Sequence, residues 1–555
     1  MAGAAIPLDE EAYDATIPRP MGRNSAGAGF MRAWLRYADV DRIYLWNLYN
    51  RAEADLEPLL QRLGPPCRPA TWIAATDRAG LGLPGAVHIP TPELQGQAWA
   101  RRAVGGTHYS ITGVTHTIAE TYIMGQIAGL LVAPVEPWDA LVCTSNAVRA
   151  AVQTQLEAVA EHFRERLGAT RIAPAQLVTI PLGVHCDDFA FDGEARAAWR
   201  AQLNIPPEAL VALHFGRFSP ETKMNPGPMG LALQGAARRV DRPVYWLLFG
   251  GARERETDAR FRAAAADFCP DVTLRFAGEL APDAFGSIWS AADVFLSFSD
   301  NVQESFGLTV LEAMAAGLPS VISDWNGYRD TLRHGIDGFR IRTVTPRPGL
   351  GADLAYRYAH GLSTYGAYAA AVAQLTAVDI PSAVEALAAL FAEPDLRRRM
   401  GRAAQARARE IYDWRVVITQ YQALWSELER RRHAAPVQPP GGAGDNPWGL
   451  DPFRMFAAYP TEILSHAHTV TLRRSISPKA LSALLAKESV RMGSPHLLAP
   501  DETRALIAAL SIDRPQSVAG LIAAFPPESR ARLERGLVWL AKFDVIALSG
   551  SGPTR

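Results

Sequence analysis

The sequence predicts an α/β protein: two doubly wound parallel-sheet domains facing a cleft, followed by a mainly helical C-terminal extension. Three observations carry this. Short β-branched or aromatic runs, apolar on both faces, alternate with helical patterns up to about residue 430. The runs fall into two series, which implies two domains of that type. A Pro/Gly-rich stretch, "PVQPPGGAGDNPWG" at 436–449, then interrupts every pattern and reads as a linker. A chain of 555 residues is in any case too long for one core and should divide into about three or four domains.

In the first series "DRIYLW", "TWIAAT", "AVHIP", "HYSITG" and "DALVCTS" are strand candidates, closed by "LVTIPLGV" at 177–184. "AYDATIP" is a poor candidate for a strand ahead of them. The second series is "LVALHFGR", "VYWLLFGG", "VTLRFAG", "DVFLSFS", "PSVISD" and "GFRIRT". Connecting segments such as 147–167 and 226–237 have helical periodicity. Long helices with Arg/Glu faces, from 380 to 432, end the second domain and are placed to cross back over the first. Beyond the linker, "SPKALSALLAKE" and "DETRALIAAL" each carry a Ser or Asp positioned to cap a first turn. The expected boundaries are 1–190, 191–435, a linker at 436–450, and 451–555. No internal repeat is evident.

Composition narrows the function classes. A formal net charge of -1 argues against a general nucleic-acid binder. The four cysteines (Cys67, Cys143, Cys186, Cys269) have neither pairing rhythm nor metal-ligand spacing, which suits a reducing compartment. The N-terminus lacks a basic n-region and an apolar h-region, and the longest apolar stretch, "IMGQIAGLLVAPV", is too short to span a bilayer. The expected location is the cytoplasm, either free or resting on the inner membrane face. Abundant Ala and Arg with little Lys point to a bacterium.

The chemistry-bearing stretch is "NVQESFGLTVLEAMAAGLPSVISDWNGYRD" at 301–330. It reads as a loop after a strand, then a helix ended by Gly317 with Pro319 beyond. A Gly-containing turn from a parallel strand into a helix gathers free N–H groups and the helix dipole, which suits a phosphate. Glu312, one turn into the helix, can accept hydrogen bonds from a ribose diol, and Glu304 would face what lies beyond the phosphate. The bland alternative is a pair of solvated glutamates. "LHFGRFSPETKMNP" supplies Arg217 and Lys223 after another strand end, two cations able to neutralise a diphosphate.

Together these residues resemble a known family. "ESFGLTVLEAMAAGLPSVIS" is similar to the E-x7-E segment of retaining nucleotide-sugar glycosyltransferases of the GT-B fold, family 4 (group 1) in particular. "FGRFSPETK" resembles that family's Gly-Arg…Lys phosphate clamp, including Gly216. "LLFGGARE", "LRFAGEL", "IWSAADVFL" and "IPLGVHCDDF" resemble the intervening elements in order, so the likeness covers roughly residues 140–430. It implies that Arg217 and Lys223 stabilise a departing diphosphate. The backbone amides of Phe306, Gly307 and Leu308 would add to this, with Ser305 also at the donor site. Glu312 would hold the ribose and Glu304 the donor-sugar hydroxyls, while Gly278, Glu279 and Leu280 would flank the base. It also implies attack from the face of the leaving group, no metal and no cofactor.

From the first domain such an enzyme needs a histidine and a glycine-rich loop. "SITGVTHTI" offers His116, and "RNSAGAGFMRAWLR" offers Gly27 and Gly29 for close approach to the diphosphate. The latter is not a dinucleotide fingerprint, because Arg32 stands where the third glycine would be. "HAHT" (His466, His468) has no third ligand cluster and reads as a solvated or capping pair. Residues 451–555 carry 13 Lys+Arg against 9 Asp+Glu, and their end faintly resembles the helix-then-strand of a winged helix. Without a basic recognition face they read as a protein-contact or dimerisation module, with DNA binding a distant second and no nucleic-acid partner expected.

The expected function is therefore a hexosyltransferase moving a sugar from a UDP- or GDP-sugar. The acceptor is open among lipid, peptide, polysaccharide and small molecule. The alternatives are an inactive nucleotide-sugar-binding scaffold, an epimerase of the same fold, or a phosphorylase. An epimerase would want further acid/base groups in the cleft, and a phosphorylase a pyridoxal-binding lysine.

Overall fold

The computed structural model describes residues 2–15, 22–173, 175–252, 254–278, 285–442 and 445–550. The chain divides into two compact units, Met1–Gly442 and Ala443–Arg555. The first unit holds both predicted parallel sheets. One comprises β1 (Ala5–Pro7), β2 (Ile43–Asn47), β3 (Ala70–Ala74), β4 (Ala86–Ile89), β5 (Ser110–Val114), β6 (Ala140–Cys143) and β7 (Gln176–Thr179), in the order β3-β2-β1-β4-β5-β6-β7. The other comprises β8 (Leu210–Phe215), β9 (Val244–Phe249), β10 (Thr273–Ala277), β11 (Val294–Ser297), β12 (Ser320–Ser323) and β13 (Gly338–Ile341), in the order β10-β9-β8-β11-β12-β13. All their pairings are parallel. Strands buried on both faces by flanking helices explain the continuous apolar runs. Two Rossmann-like domains facing a cleft are the GT-B architecture.

The strand before "DRIYLW" is "AIP", and the Ala12 and Tyr13 of "AYDATIP" lie in the helix Glu10–Tyr13, capped by Asp9. Each sheet reverses its winding once, between β1 and β4 and between β8 and β11. Crevices form outside the carboxyl ends of strands at such points, so the loops leaving β8 and β11 are where a ligand site belongs.

The helix Trp414–Ala434 returns to the first domain, as its sequence position suggested. Trp414, Val417, Ile418, Tyr421, Trp425 and Leu428 share one core with Leu8, Phe30, Trp34 and Leu45. Trp425 Nε1 donates to Thr112 Oγ1 at 3.0 Å. A feature not anticipated is a helical hairpin, Ala352–Ala359 and Tyr365–Gln374, entered and left through the two-stranded neck β14 (Thr343–Val344) and β15 (Ala377–Val378). The "PVQPP" segment is laid on the first unit, with Gly441 N donating to Arg102 O at 2.7 Å and Gln438 Nε2 to Glu136 Oε1 at 3.1 Å.

The second unit is mainly helical around its own core of Val470, Leu506, Leu521, Leu537 and Leu540. It also contains an antiparallel sheet of β16 (Thr469–Leu472), β17 (Gln516–Ser517) and β18 (Ile546–Ser549), in the order β17-β16-β18. His466 and His468 each meet a glutamate there: Nε2 of His466 lies 3.3 Å from Glu534, and that of His468 3.1 Å from Glu462.

Candidate functional site

The loop leaving β8 begins at Gly216 and Arg217. Phe218 then anchors it, stacking on Phe261 at 4.5 Å while its N–H donates to Gly251 O at 3.1 Å. Ser219 O accepts from Lys223 N at 2.9 Å, which closes the loop into one turn. Asn225 then caps the helix Pro226–Ala237. The loop leaving β11 runs to Gly307, at φ +97°, where a Cβ would lie 2.1 Å from Tyr328 Cε1. No side chain fits that conformation or that space, so only glycine can start the helix Leu308–Ala315 here.

These two loops meet. Lys223 Nζ lies 3.2 Å from Glu304 Oε2, a largely buried ion pair between residues 81 apart in sequence. Glu304 Oε1 accepts from the N–H groups of Ser305 and Phe306 at 3.2 and 3.3 Å. Burial alone would push the Glu304 carboxyl up. The charge and hydrogen bond of Lys223, with those two N–H groups, outweigh it and hold the group below the ordinary range. The amides of Ser305 and Phe306 are thus engaged with Glu304, which for Phe306 differs from the expectation that its amide serves the diphosphate. Leu308 and Thr309, in the first turn of the helix, have no preceding intrahelical acceptors for their N–H groups.

A cavity of about 440 Å³ is lined by Gly216, Arg217, Lys223, Glu304, Ser305, Phe306, Gly307 and Leu308 from the second domain, and by His116 from the first. Nine residues singled out in the sequence thus share one space. His116 Nε2 lies 3.0 Å from Pro90 O. A carbonyl only accepts, so Nε2 carries the proton and Nδ1 the lone pair. Burial, against the Pro90 hydrogen bond and alongside the charge of Arg23, lowers this imidazole to about 4. It is neutral at physiological pH.

Other expectations are corrected. Glu312 does not line this cavity. It faces an adjoining one of about 330 Å³, with Leu308 common to both. There its Oε2 is buried with no hydrogen-bond partner among the described residues, and burial pushes its carboxyl up to about 8. Gly27 and Gly29 lie inside the helix Gly22–Tyr37, not in a phosphate loop. A Cβ at Gly27 would meet Ala12 O at 2.1 Å, and one at Gly29 would meet Trp414 Nε1 at 2.9 Å. Both glycines permit close packing, which is a different reason for the same residue type; Gly29 also lines the smaller cavity with Glu312, whereas Gly27 lines neither. The glycine of this segment that does line the larger cavity is Gly22, with Arg23 beside it. Gly278 is exposed and lines neither cavity, and Glu279 and Leu280 lie outside the described residues.

Several contacts, unsuspected from sequence, hold the domains together around the site. Ser145, the N-cap of the helix Asn146–Leu167, places Oγ 3.0 Å from Ser305 O and 3.3 Å from Asn326 Oδ1. Asn326 Nδ2 in turn donates to Glu304 O. Asn146 N donates to Asp330 Oδ2 at 2.6 Å. From the hairpin, Tyr365 OH lies 3.3 Å from Thr117 Oγ1, and Tyr358 OH accepts from Thr121 N at 3.2 Å. Among the described residues no group of three His, Cys, Asp or Glu is arranged to hold a metal ion, and no helix is long and apolar enough to cross a membrane.

Known proteins resemble this chain over its second domain above all. Residues 195–346 match the family described as Glycosyl transferases group 1. A D-inositol 3-phosphate glycosyltransferase of Acidothermus cellulolyticus is 31% identical over 188 residues, which is 32% of this chain and 40% of that protein. A phosphatidyl-myo-inositol mannosyltransferase of Mycobacterium tuberculosis is 29% identical over 253 residues, 45% of this chain and 54% of that one. The chain thus spans about two fifths to one half of these curated relatives. A crystal structure of Anabaena HepE with UDP and glucose aligns with 77% of this chain and 100% of its own, at 16% identity and a TM-score of 0.49. The matched segment, residues 195–346, is the one that carries Arg217, Lys223, Glu304 and Glu312, and through it the chain is similar to the group 1 glycosyltransferases.

Proposed function

We propose that the protein is a retaining, metal-independent glycosyltransferase that moves a sugar from a nucleotide-sugar to an acceptor hydroxyl. The observation that carries this is the convergence of Arg217, Lys223, Glu304 and a helix N-terminus on one cavity at the β8/β11 switch point. In this reading the bond between the anomeric carbon and the diphosphate oxygen breaks. Arg217 and Lys223 then stabilise the charge that develops on the diphosphate, the electrostatic contribution that is usually largest in such sites. Glu304 serves the donor-sugar hydroxyls and Glu312 the ribose in the adjoining cavity. His116, neutral and with a free Nδ1 lone pair, accepts a hydrogen bond near the anomeric centre.

The acceptor oxygen bonds to the anomeric carbon on the face the diphosphate leaves, and its proton passes to a diphosphate oxygen. A double displacement would need a free carboxylate beside that carbon, whereas Glu304 is held by Lys223 and two N–H groups. The protein works in this reading in the cytoplasm or at the inner membrane face, and residues 451–555 serve contacts with a partner or a second copy.

A thermal-shift panel of UDP, GDP, ADP, TDP and their sugars tests the proposal. A ligand at 100 times its dissociation constant stabilises by about 2.7 kcal/mol. A shift confined to one base and its sugars supports the reading; no shift with any of them overturns it.

A further inference from the structure

We infer that Asn301 is a positioning residue for the Lys223–Glu304 pair, the joint that sets the two site loops at their working distance. The inference rests on the proposed role of that pair in transfer. Lys223 and Glu304 leave different strands, and nothing in either loop alone fixes their separation. Asn301 touches both. It is fully buried, and its Nδ2 donates to Glu221 O at 2.7 Å, two residues before Lys223. Its Oδ1 accepts from Gln303 N at 2.9 Å, and its own carbonyl accepts from Glu304 N at 3.2 Å. That carbonyl also accepts from Trp325 Nε1 at 3.0 Å, tying in the loop after β12.

Asn301 therefore holds the Lys223 loop two residues before the lysine and begins the turn that delivers Glu304. A lysine has four rotatable side-chain bonds, and its ammonium stays in register with a buried carboxylate only if its backbone is fixed.

Residue 301 must donate to a carbonyl and accept from an N–H at once, at a fixed reach, and a short amide does both. Aspartate there would keep the acceptor for Gln303 but set a carboxylate against the Glu221 carbonyl. Serine would keep a short acceptor and fall short of Glu221. Neither substitution removes a group proposed to touch the donor.

Asn301→Ser and Asn301→Asp test this, the serine variant carrying the experiment if the buried new charge of the aspartate prevents folding. Release of nucleoside diphosphate from UDP-glucose and from GDP-mannose is followed in the full chain. For whichever donor turns over, kcat is expected to fall roughly 10- to 100-fold, as for a displacement near 1 Å. The donor KM is expected to change less than about threefold. In a Lys223→Ala background Asn301→Ser should cost almost nothing more.

Multiplying effects of Asn301→Ser and Lys223→Ala would overturn the inference, as would a lowered Tm with unchanged kcat, which marks a merely structural role. Thermal unfolding gives an arm independent of activity. Lys223→Met and Glu304→Gln should be non-additive in the wild type and additive in Asn301→Ser. Coupling that persists in Asn301→Ser refutes the joint. A wild type that turns over neither donor but shows the expected loss of coupling refutes the proposed donor class and leaves the joint standing.

Discussion

Glu312→Gln should make the protein more stable and a poorer binder of nucleotide. Glu312 is buried against Leu308 and Trp414 in the smaller cavity, and its carboxyl titrates near 8 instead of the ordinary 4.5. Between those two values the unfolded chain releases a proton that the folded chain keeps, so stability falls as pH rises from about 4.5 to about 8. At pH 7 the difference is about 2.5 units at 1.36 kcal/mol each, or about 3 kcal/mol. Glutamine keeps the size and removes the ionisation, so it recovers that amount. With about 2.1 cal/mol/K of unfolding entropy per residue, a unit the size of Met1–Gly442 gains about 3 °C at pH 7. At pH 5 the gain shrinks below about 1 °C, and at pH 8.5 it grows to about 5 °C.

Scanning fluorimetry of both proteins at the three pH values reads this directly. A pH-independent difference, or a Glu312→Gln protein less stable at pH 8.5, would refute the assignment of a strained, protonated carboxyl. The same variant should weaken UDP or GDP roughly 10- to 100-fold by calorimetry, since it loses a chargeable acceptor worth about 1.5–3 kcal/mol. Hydroxyls donated to Glu312 favour its ionised form. Binding to the wild type should therefore release a proton, seen as heats that depend on the buffer.

Three further outcomes are expected. Arg217→Ala or Lys223→Ala should lower turnover by roughly a hundredfold or more with the fold intact by circular dichroism, and near-normal turnover in both would remove the clamp from the mechanism. Glu304→Ala should leave affinity for bare diphosphate almost unchanged, or raise it by releasing Lys223, while slowing transfer; an equal loss for diphosphate and donor in calorimetric titration would place this acid on the nucleotide. EDTA should leave transfer unchanged, because no Asp-x-Asp motif follows a strand; loss on chelation restored by manganese would point to a metal-dependent enzyme.

The strands that frame the site were legible because burial on both faces writes an unbroken β-branched or aromatic run, as in "VYWLLFGG". β1 was not, since its three residues "AIP" are too short to show any period. The hairpin 352–374 was hidden behind "TPRPGLGA", whose prolines and glycines read as loop. Arg217, Lys223 and Glu304 could each be placed after a strand end, but the Lys223–Glu304 contact depends on β8 and β11 being neighbours, which only the sheet order reveals. The eight-residue spacing between the two glutamates could not say that they face different cavities. The left-handed turn at Gly307 redirects the chain between them, so helical periodicity does not carry across it. Gly27 and Gly29 show the remaining ambiguity: a glycine marks close approach, and the sequence does not say of what.

The return of the helix Trp414–Ala434 to the first domain has a consequence for synthesis. The N-terminal sheet and its helices can be translated by about residue 180, yet part of their core is Trp414, Val417, Ile418, Tyr421, Trp425 and Leu428. At roughly 5–20 residues per second, some 12 to 50 seconds pass before those side chains are made. Throughout that interval the nascent chain presents Phe30, Trp34 and their neighbours to the cell without their covering helix. The first domain, though made first, is completed only after the second parallel sheet has been synthesised, and a ribosome stalled before residue 414 carries a surface suited to chaperones or to aggregation.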